Sequence, residues 1–463
     1  MKTTKRLLSL LLSLIIALTG LVGLAFTAGA KGYKVGDIIE LGSYPQTEVK
    51  DEALITALNA VPGIWQSYDY YVGTGDWDGQ MAPSDIMSYH DVQYNGQLYR
   101  GVQISHYRPR NTYLSTNTTA GFRQMENGYM FGRVYWFKFE PLKWRVLDPG
   151  TGIVMSELII DSQPFQNYAL RQGKDPLGAD AEWGSSAKQF YTNNYENSSI
   201  RSWLNLDFYA TAFTADARSN VIKTTMDMDN TAYDPSASAF NGAQTDDKVF
   251  LLSLKDIQNT AYGFKADPTE DDLARHAYVT DYSKCQGVAT GSENKASWLL
   301  RTAGRYSFFV CETGGRYYPY AETTATSFGI RPGMTLDLQA YDAYLLKNSQ
   351  LNVPQAATVD YKSTVTVTAK AAVLPKGCIV ALYDGDTQLV KGDSETVSYT
   401  MTKMKESKTL TAKVIDANGN VQSNAGGLLE KEITITVKAG FFAKVKAFFR
   451  GLFGLLPKIT LEP

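Results

Sequence analysis

Cysteine and histidine are both scarce in this chain, three of each in 463 residues, and the scarcity excludes a good deal. Three cysteines cannot build a disulfide scaffold, and a chain of this length can bury enough apolar surface to need none. Cys285 and Cys311 could pair with each other, which leaves Cys378 alone in a later domain. The histidines, His90, His106 and His276, are scattered, and no His-x-x-x-His or Cys-x-x-Cys spacing occurs, so no metal site is assigned. An imbalance of charge is missing too. With 45 basic and 47 acidic residues the chain has no basic footprint for phosphate, which argues against nucleic acid as a partner. Carboxylates are plentiful without being paired. The clusters at Asp76 and Asp78 and at Asp227 and Asp229 lack a complete calcium loop, so no cofactor is expected; calcium is the one ion they could hold, and a turn is the plainer explanation. Without a nucleophile, a base or a metal constellation, the sequence does not point to an enzyme.

What is present begins with Lys2, Lys5 and Arg6 ahead of an apolar run from Leu7 to Phe26 and the small residues Ala28, Gly29 and Ala30. The pattern predicts a secretory signal peptide over residues 1–30, with an uncleaved anchor as the alternative. The expected location is therefore secreted, extracellular or cell-surface associated.

The stretch from Ser297 to Leu338 organises the rest. Trp298, Leu299 and Leu300 run into Arg301, and Phe328, Gly329 and Ile330 run into Arg331 and Pro332. A buried guanidinium needs several fixed acceptors, so Arg301 and Arg331 read as structural, as do Trp298, Trp144 and Trp203. Between the two arginines, Arg305, Tyr306, Arg316, Tyr317, Tyr318, Tyr320 and Glu322 lie among glycines. Tyrosine gives contact area and a hydrogen-bonding tip at small entropic cost, so these seven residues form the candidate ligand-binding patch.

The Trp-Leu-Arg strand, the Gly- and Tyr-rich middle and the closing Gly-Ile-Arg-Pro strand resemble the domain-of-unknown-function 6273 family. Further matching text is the opening Gly36-Asp37 strand with Tyr44-Pro45-Gln46, the strand LKWRVLD at 142–148, and the helix Ile200-Arg201-Ser202-Trp203-Leu204-Asn205. The resemblance covers most of residues 33–340, with an insertion at about 50–135 as the exception. It implies an α+β, C-type-lectin-like head over 31–340, similar to the formylglycine-generating (sulfatase-modifying-factor-like) enzymes. The copper-binding cysteine pair of those enzymes has no counterpart here, so the resemblance carries no reaction with it.

Residues 341–356 lose periodicity and read as a linker. Thr/Val alternation with turns at regular spacing then predicts an all-β, Ig-like sandwich over 357–438. Over 440–457 the helical period places Phe441, Phe442, Phe448, Phe449, Leu452 and Phe453 on one face, with Lys446 and Arg450 on the other. Such a helix is expected to contact a membrane surface or a partner protein. The functional expectation is a non-catalytic binding protein for an extracellular glycan or protein. An extracellular hydrolase using Asp76, Asp78 or Glu126, and a purely structural surface protein, are the alternatives.

Overall fold

A computed structural model describes residues 32–68, 86–108, 123–165, 195–228, 243–303, 307–310, 315–321 and 327–463. The expected leader lies outside them. The chain divides into two compact units, one of residues 34–337 and one in which 338–463 join the residues up to Tyr33.

The first unit is built on one long strand, Arg133–Asp148. Along it Phe137 and Phe139, then Leu142, Trp144 and Val146, are buried; the period-two pattern of a strand with one face on a core changes phase between Phe139 and Leu142, where the pairing with the neighbouring strand shifts register. Its first half pairs with Gln97–Ile104, its last residues pair with Ile153–Ser156, and Ile38–Glu48 runs antiparallel beside it. These strands belong to a nine-stranded sheet that continues through Pro332–Leu336 to Val249–Leu251 on one side. On the other side it extends to Met87–Tyr94 and Gln66–Ser67. Gly152 turns the chain between two of these strands at φ +81°, where a Cβ would lie 1.9 Å from the Leu336 carbonyl oxygen.

The insertion is thus an extension of the parent sheet. Met87–Tyr94 and Gln97–Ile104 pair in register across Asn95 and Gly96, both at positive φ, the two-residue turn that matches strand twist. Ahead of the hairpin, the Asp51 carboxylate accepts from the Leu54 N–H and starts the helix Glu52–Asn59. That helix buries Leu58 against Val92 and Trp136.

A second sheet runs in the order Tyr317–Ala321, Ser307–Val310, Trp298–Ala303, Gly329–Ile330, Asp161–Ser162. The helical run near residue 200 consists of Ser199–Trp203, Leu204–Phe208 and Tyr209–Ala212, the middle piece a π-turn. It buries Ile200, Leu204 and Phe208. The described residues are mostly β with few, short helices. Of the two cysteines whose pairing the sequence leaves open, Cys311 lies outside the described residues, and Cys285 is a free thiol, fully buried at the end of the helix Asp281–Cys285.

The second unit is a two-sheet sandwich. One sheet holds Leu351–Asn352, Thr364–Ala371, Thr396–Met401 and Lys458–Leu461. The other runs Ala357–Asp360, Glu430–Lys438, Lys408–Ile415, Ile379–Asp384, Thr387–Lys391. Val365, Val367, Leu382, Leu410, Val414, Ile433 and Ile435 share its core.

Two expected boundaries change. The segment expected as a linker is the helix Leu338–Asn348 followed by a short strand, because Leu338, Tyr341 and Leu345 recur at helical spacing and are buried. Tyr33 donates to its Asp342 carboxylate at 2.7 Å. The sandwich also does not end at 438, since Lys458–Leu461 returns after Pro457 to pair in parallel with Thr364–Val367.

Candidate functional site

Three features compete for the role. The first is the tyrosine-bearing stretch. Trp298–Ala303, Ser307–Val310 and Tyr317–Ala321 form consecutive antiparallel pairs, so the topology brings the stretch together as a three-stranded edge. Arg305, Tyr306 and Glu322 lie outside the described residues, as do the side chains of Tyr318 and Tyr320. Arg316 is exposed. Tyr317, opposite Val310 in register, is half-buried against the cluster that contains Trp298, Leu300 and Val310.

The two flanking arginines turn inward. Arg301 Nη1 donates to the Leu251 carbonyl and to the Asp256 carboxylate, both at 2.7 Å. Arg331 is wholly buried, donates from Nε to the Ser156 carbonyl at 2.9 Å and lies over the Trp298 ring at 5.3 Å; burial lowers its pKa to about 9. Trp298 donates to the Arg275 carbonyl, and Trp144 to the Leu41 carbonyl. Half-buried Trp203 stacks on Phe208 at 5.7 Å. Sequence reasoning missed Arg275. Its buried guanidinium donates to the carbonyls of Ile257, Lys265, Asp267, Glu270 and Gly315 and gathers an otherwise irregular loop. Of the candidate carboxylates, Glu126 pairs with Arg123 at 2.6 Å and Asp227 lies 3.5 Å from Lys255. Asp76, Asp78 and Asp229 lie outside the described residues.

The second feature is a cleft in the insertion. After the helix Glu52–Asn59 the chain passes through Gly63 and Trp65 over the hairpin residue His90 and the base of the long strand. The cleft holds about 600 Å³. Trp136 forms its floor, 2 % exposed and donating from Nε1 to the Asn59 side-chain oxygen at 2.8 Å. The rings of Trp65, His90 and Trp136 lie 5.6 to 6.5 Å apart.

The third feature is the helix Phe441–Leu452. It docks by its small and cationic side. Ala447 is buried, Arg450 donates to Asp360 at 2.9 Å, Lys446 lies 3.7 Å from the same carboxylate, and Lys444 sits 5.8 Å from the Tyr361 ring. Pro457, just beyond, accepts from the Thr364 N–H and leads into the strand Lys458–Leu461. The aromatic side faces solvent: Phe441, Phe448, Phe449 and Leu452 are exposed, Phe442 is 86 % and Phe453 75 % exposed. No carboxylate occurs between Lys438 and Leu461, while Lys438, Lys444, Lys446, Arg450 and Lys458 do. Among the described residues no helix is long and apolar enough to cross a membrane.

Comparison with known proteins assigns part of the first unit. Residues 150–338 match the family described as "Domain of unknown function (DUF6273)". The match contains the Trp298–Arg301 and Gly329–Pro332 strands and the helical run at 199–212, and it excludes the cleft. No curated protein matches the chain. Among solved structures, the chain is similar to the M1 domain from titin (16 % identity, 19 % of this chain and 94 % of that one, TM-score 0.15). It is also similar to fibronectin(III)-like modules of Clostridium thermocellum CbhA (17 % identity, 20 % and 97 %, TM-score 0.15). A third is the twitchin kinase region from C. elegans (12 % identity, 23 % and 18 %, TM-score 0.16).

Proposed function

We propose that this is a secreted or cell-surface-associated, non-catalytic binding protein whose C-terminal helix rests in the headgroup plane of an anionic membrane. In this reading residues 34–337 are a C-type-lectin-like head that meets an extracellular glycan or protein, and the sandwich is an Ig-like domain that carries the helix. The observation that carries the proposal is the outward aromatic face of Phe441–Leu452, fixed from behind by Asp360. Removing a large apolar side chain from water contributes roughly 1.5–3 kcal/mol when burial is complete. Six such groups on one ridge, even half-immersed, outweigh any single rim charge. The cations around the ridge complement anionic headgroups, and the leader pattern of residues 1–30 supports export.

The test is co-sedimentation of the chain from residue 31 onward with phosphatidylcholine–phosphatidylglycerol vesicles and with phosphatidylcholine alone. Binding is expected to the mixed vesicles, to be weaker on the neutral ones, and to be lost in the Phe448→Ser, Phe449→Ser, Phe453→Ser variant. Equal sedimentation of that variant and the parent would remove the proposal, and capture of a protein partner by the ridge without vesicle binding would replace it.

A further inference from the structure

We infer that the cleft between the helix Glu52–Asn59 and the strands Met87–Tyr94 and Arg133–Asp148 binds an acidic sugar residue, a pyranose ring bearing a carboxylate. The inference rests on the reading of the first unit as a binding module and gives that module a site and a ligand class. Three properties of the cleft carry it.

The first is size. About 600 Å³ lies within the range of sites that take small ligands. The second is the split between apolar and polar surface. Half-buried Trp65 offers an indole face above the Trp136 floor, which suits the C–H face of a pyranose better than a flat polar anion. The third is the sign of the polar groups. Among the described residues no aspartate or glutamate lines the cleft. Its polar side chains are Asn59, whose oxygen already accepts from Trp136 and which therefore presents its N–H₂ group, His90, and the exposed guanidinium of Arg133. A wall rich in donors with one guanidinium selects a ligand rich in acceptors with one carboxylate.

The cleft is also built to close tolerance. A Cβ on Gly63 would lie 1.7 Å from His90 Nε2, so only glycine lets the imidazole lie against the loop that carries Trp65. That contact fixes the two rings relative to each other before any ligand arrives.

Titration of the purified protein with methyl β-glucuronide, followed by tryptophan fluorescence and calorimetry, tests the inference. Saturable binding is expected, with methyl β-glucoside weaker by about tenfold for want of the charged hydrogen bond. Arg133→Gln, at an exposed position, should erase the difference between the two sugars, and Trp65→Ala should weaken both. Gly63→Ala should weaken both as well by displacing His90. No saturable binding, equal binding of the two sugars by the parent, or unchanged binding by both Arg133→Gln and Trp65→Ala would overturn the inference. So would displacement of the glucuronide by N-acetylphenylalanine at lower concentration than by the sugar itself, which would assign the cleft to peptide carboxylates. Vesicle binding reads the second unit and sugar binding the first, so failure of one leaves the other standing.

Discussion

Two helical runs in this chain carry similar hydrophobic periodicity and dispose of it in opposite ways. Near residue 200, Ile200, Leu204 and Phe208 are buried, while on the polar edge Arg201 pairs with buried Asp247 at 2.7 Å and Asn205 bonds the backbone of Lys248 and Val249. In Phe441–Leu452 the buried residue is Ala447 and the rings face solvent. The difference lies in the neighbour rather than in the helix. Asp360 takes the cationic face of the second helix, and nothing apolar stands opposite the other face among the described residues of that unit. A periodic pattern says that a face exists; the charge of the adjoining strand decides which side turns in.

The contrast can be broken by substitution. Phe208→Ala should cost about 3–5 kcal/mol in urea unfolding, the range for emptying a packed aromatic site. A loss below about 1 kcal/mol there would mean that the first run is not seated as described. Buried and exposed carboxylates should differ in the same sense. Burial raises Asp161 to about 6 although Tyr44, Ser162 and Gln163 all donate to it. A raised carboxyl pKa means that the folded state keeps a proton the unfolded chain has released. Its contribution to stability is therefore fully present below about pH 4 and is lost as pH rises through about 6. Relative to Asp161→Asn, the parent should lose about 3 kcal/mol between about pH 4 and pH 7, and parallel stability curves for the two proteins would contradict the burial assigned to Asp161. Asp360→Ala, at a partly exposed pair, should cost less than about 1 kcal/mol yet speed hydrogen exchange in Phe441–Leu452. Smallest of all, Phe448→Ser with Phe449→Ser should change stability by no more than about 0.5 kcal/mol, since those rings are in water already.

Much of the framework was legible in the chain. The strand around Trp144, the apolar face of the run at 199–212, and the alternation at Thr364–Ala371 each follow from side-chain period, which is a local property. The Asn95-Gly96 turn went unread, although an Asn-Gly pair between two strands is a hairpin signal of its own, set by the positive φ of both residues. The helix Leu338–Asn348 was less legible, because only three of its residues are buried and the others mix polar residues with Ala340, Ala343, Tyr344 and Leu346, which blurs the apolar face. Arg275 was hard to see for a different reason: apart from the Asp272 carboxylate at 3.3 Å, its partners are backbone carbonyls, which have no signature in sequence. The cleft gathers residues from around 60, 90 and 135, a grouping that exists only once the hairpin Met87–Ile104 has paired with the long strand. Of the seven-residue patch read from local composition, Arg316 is exposed and Tyr317 half-buried, and the other five side chains lie outside the described residues.

The central claim is that the second unit holds an aromatic ridge outward for a lipid surface. Amide hydrogen exchange over residues 441–452, with and without phosphatidylglycerol-containing vesicles, tests it most directly. The account predicts that vesicles slow exchange in the helix and leave the strand Thr364–Ala371 unchanged. Unchanged exchange in the helix at saturating lipid would contradict it.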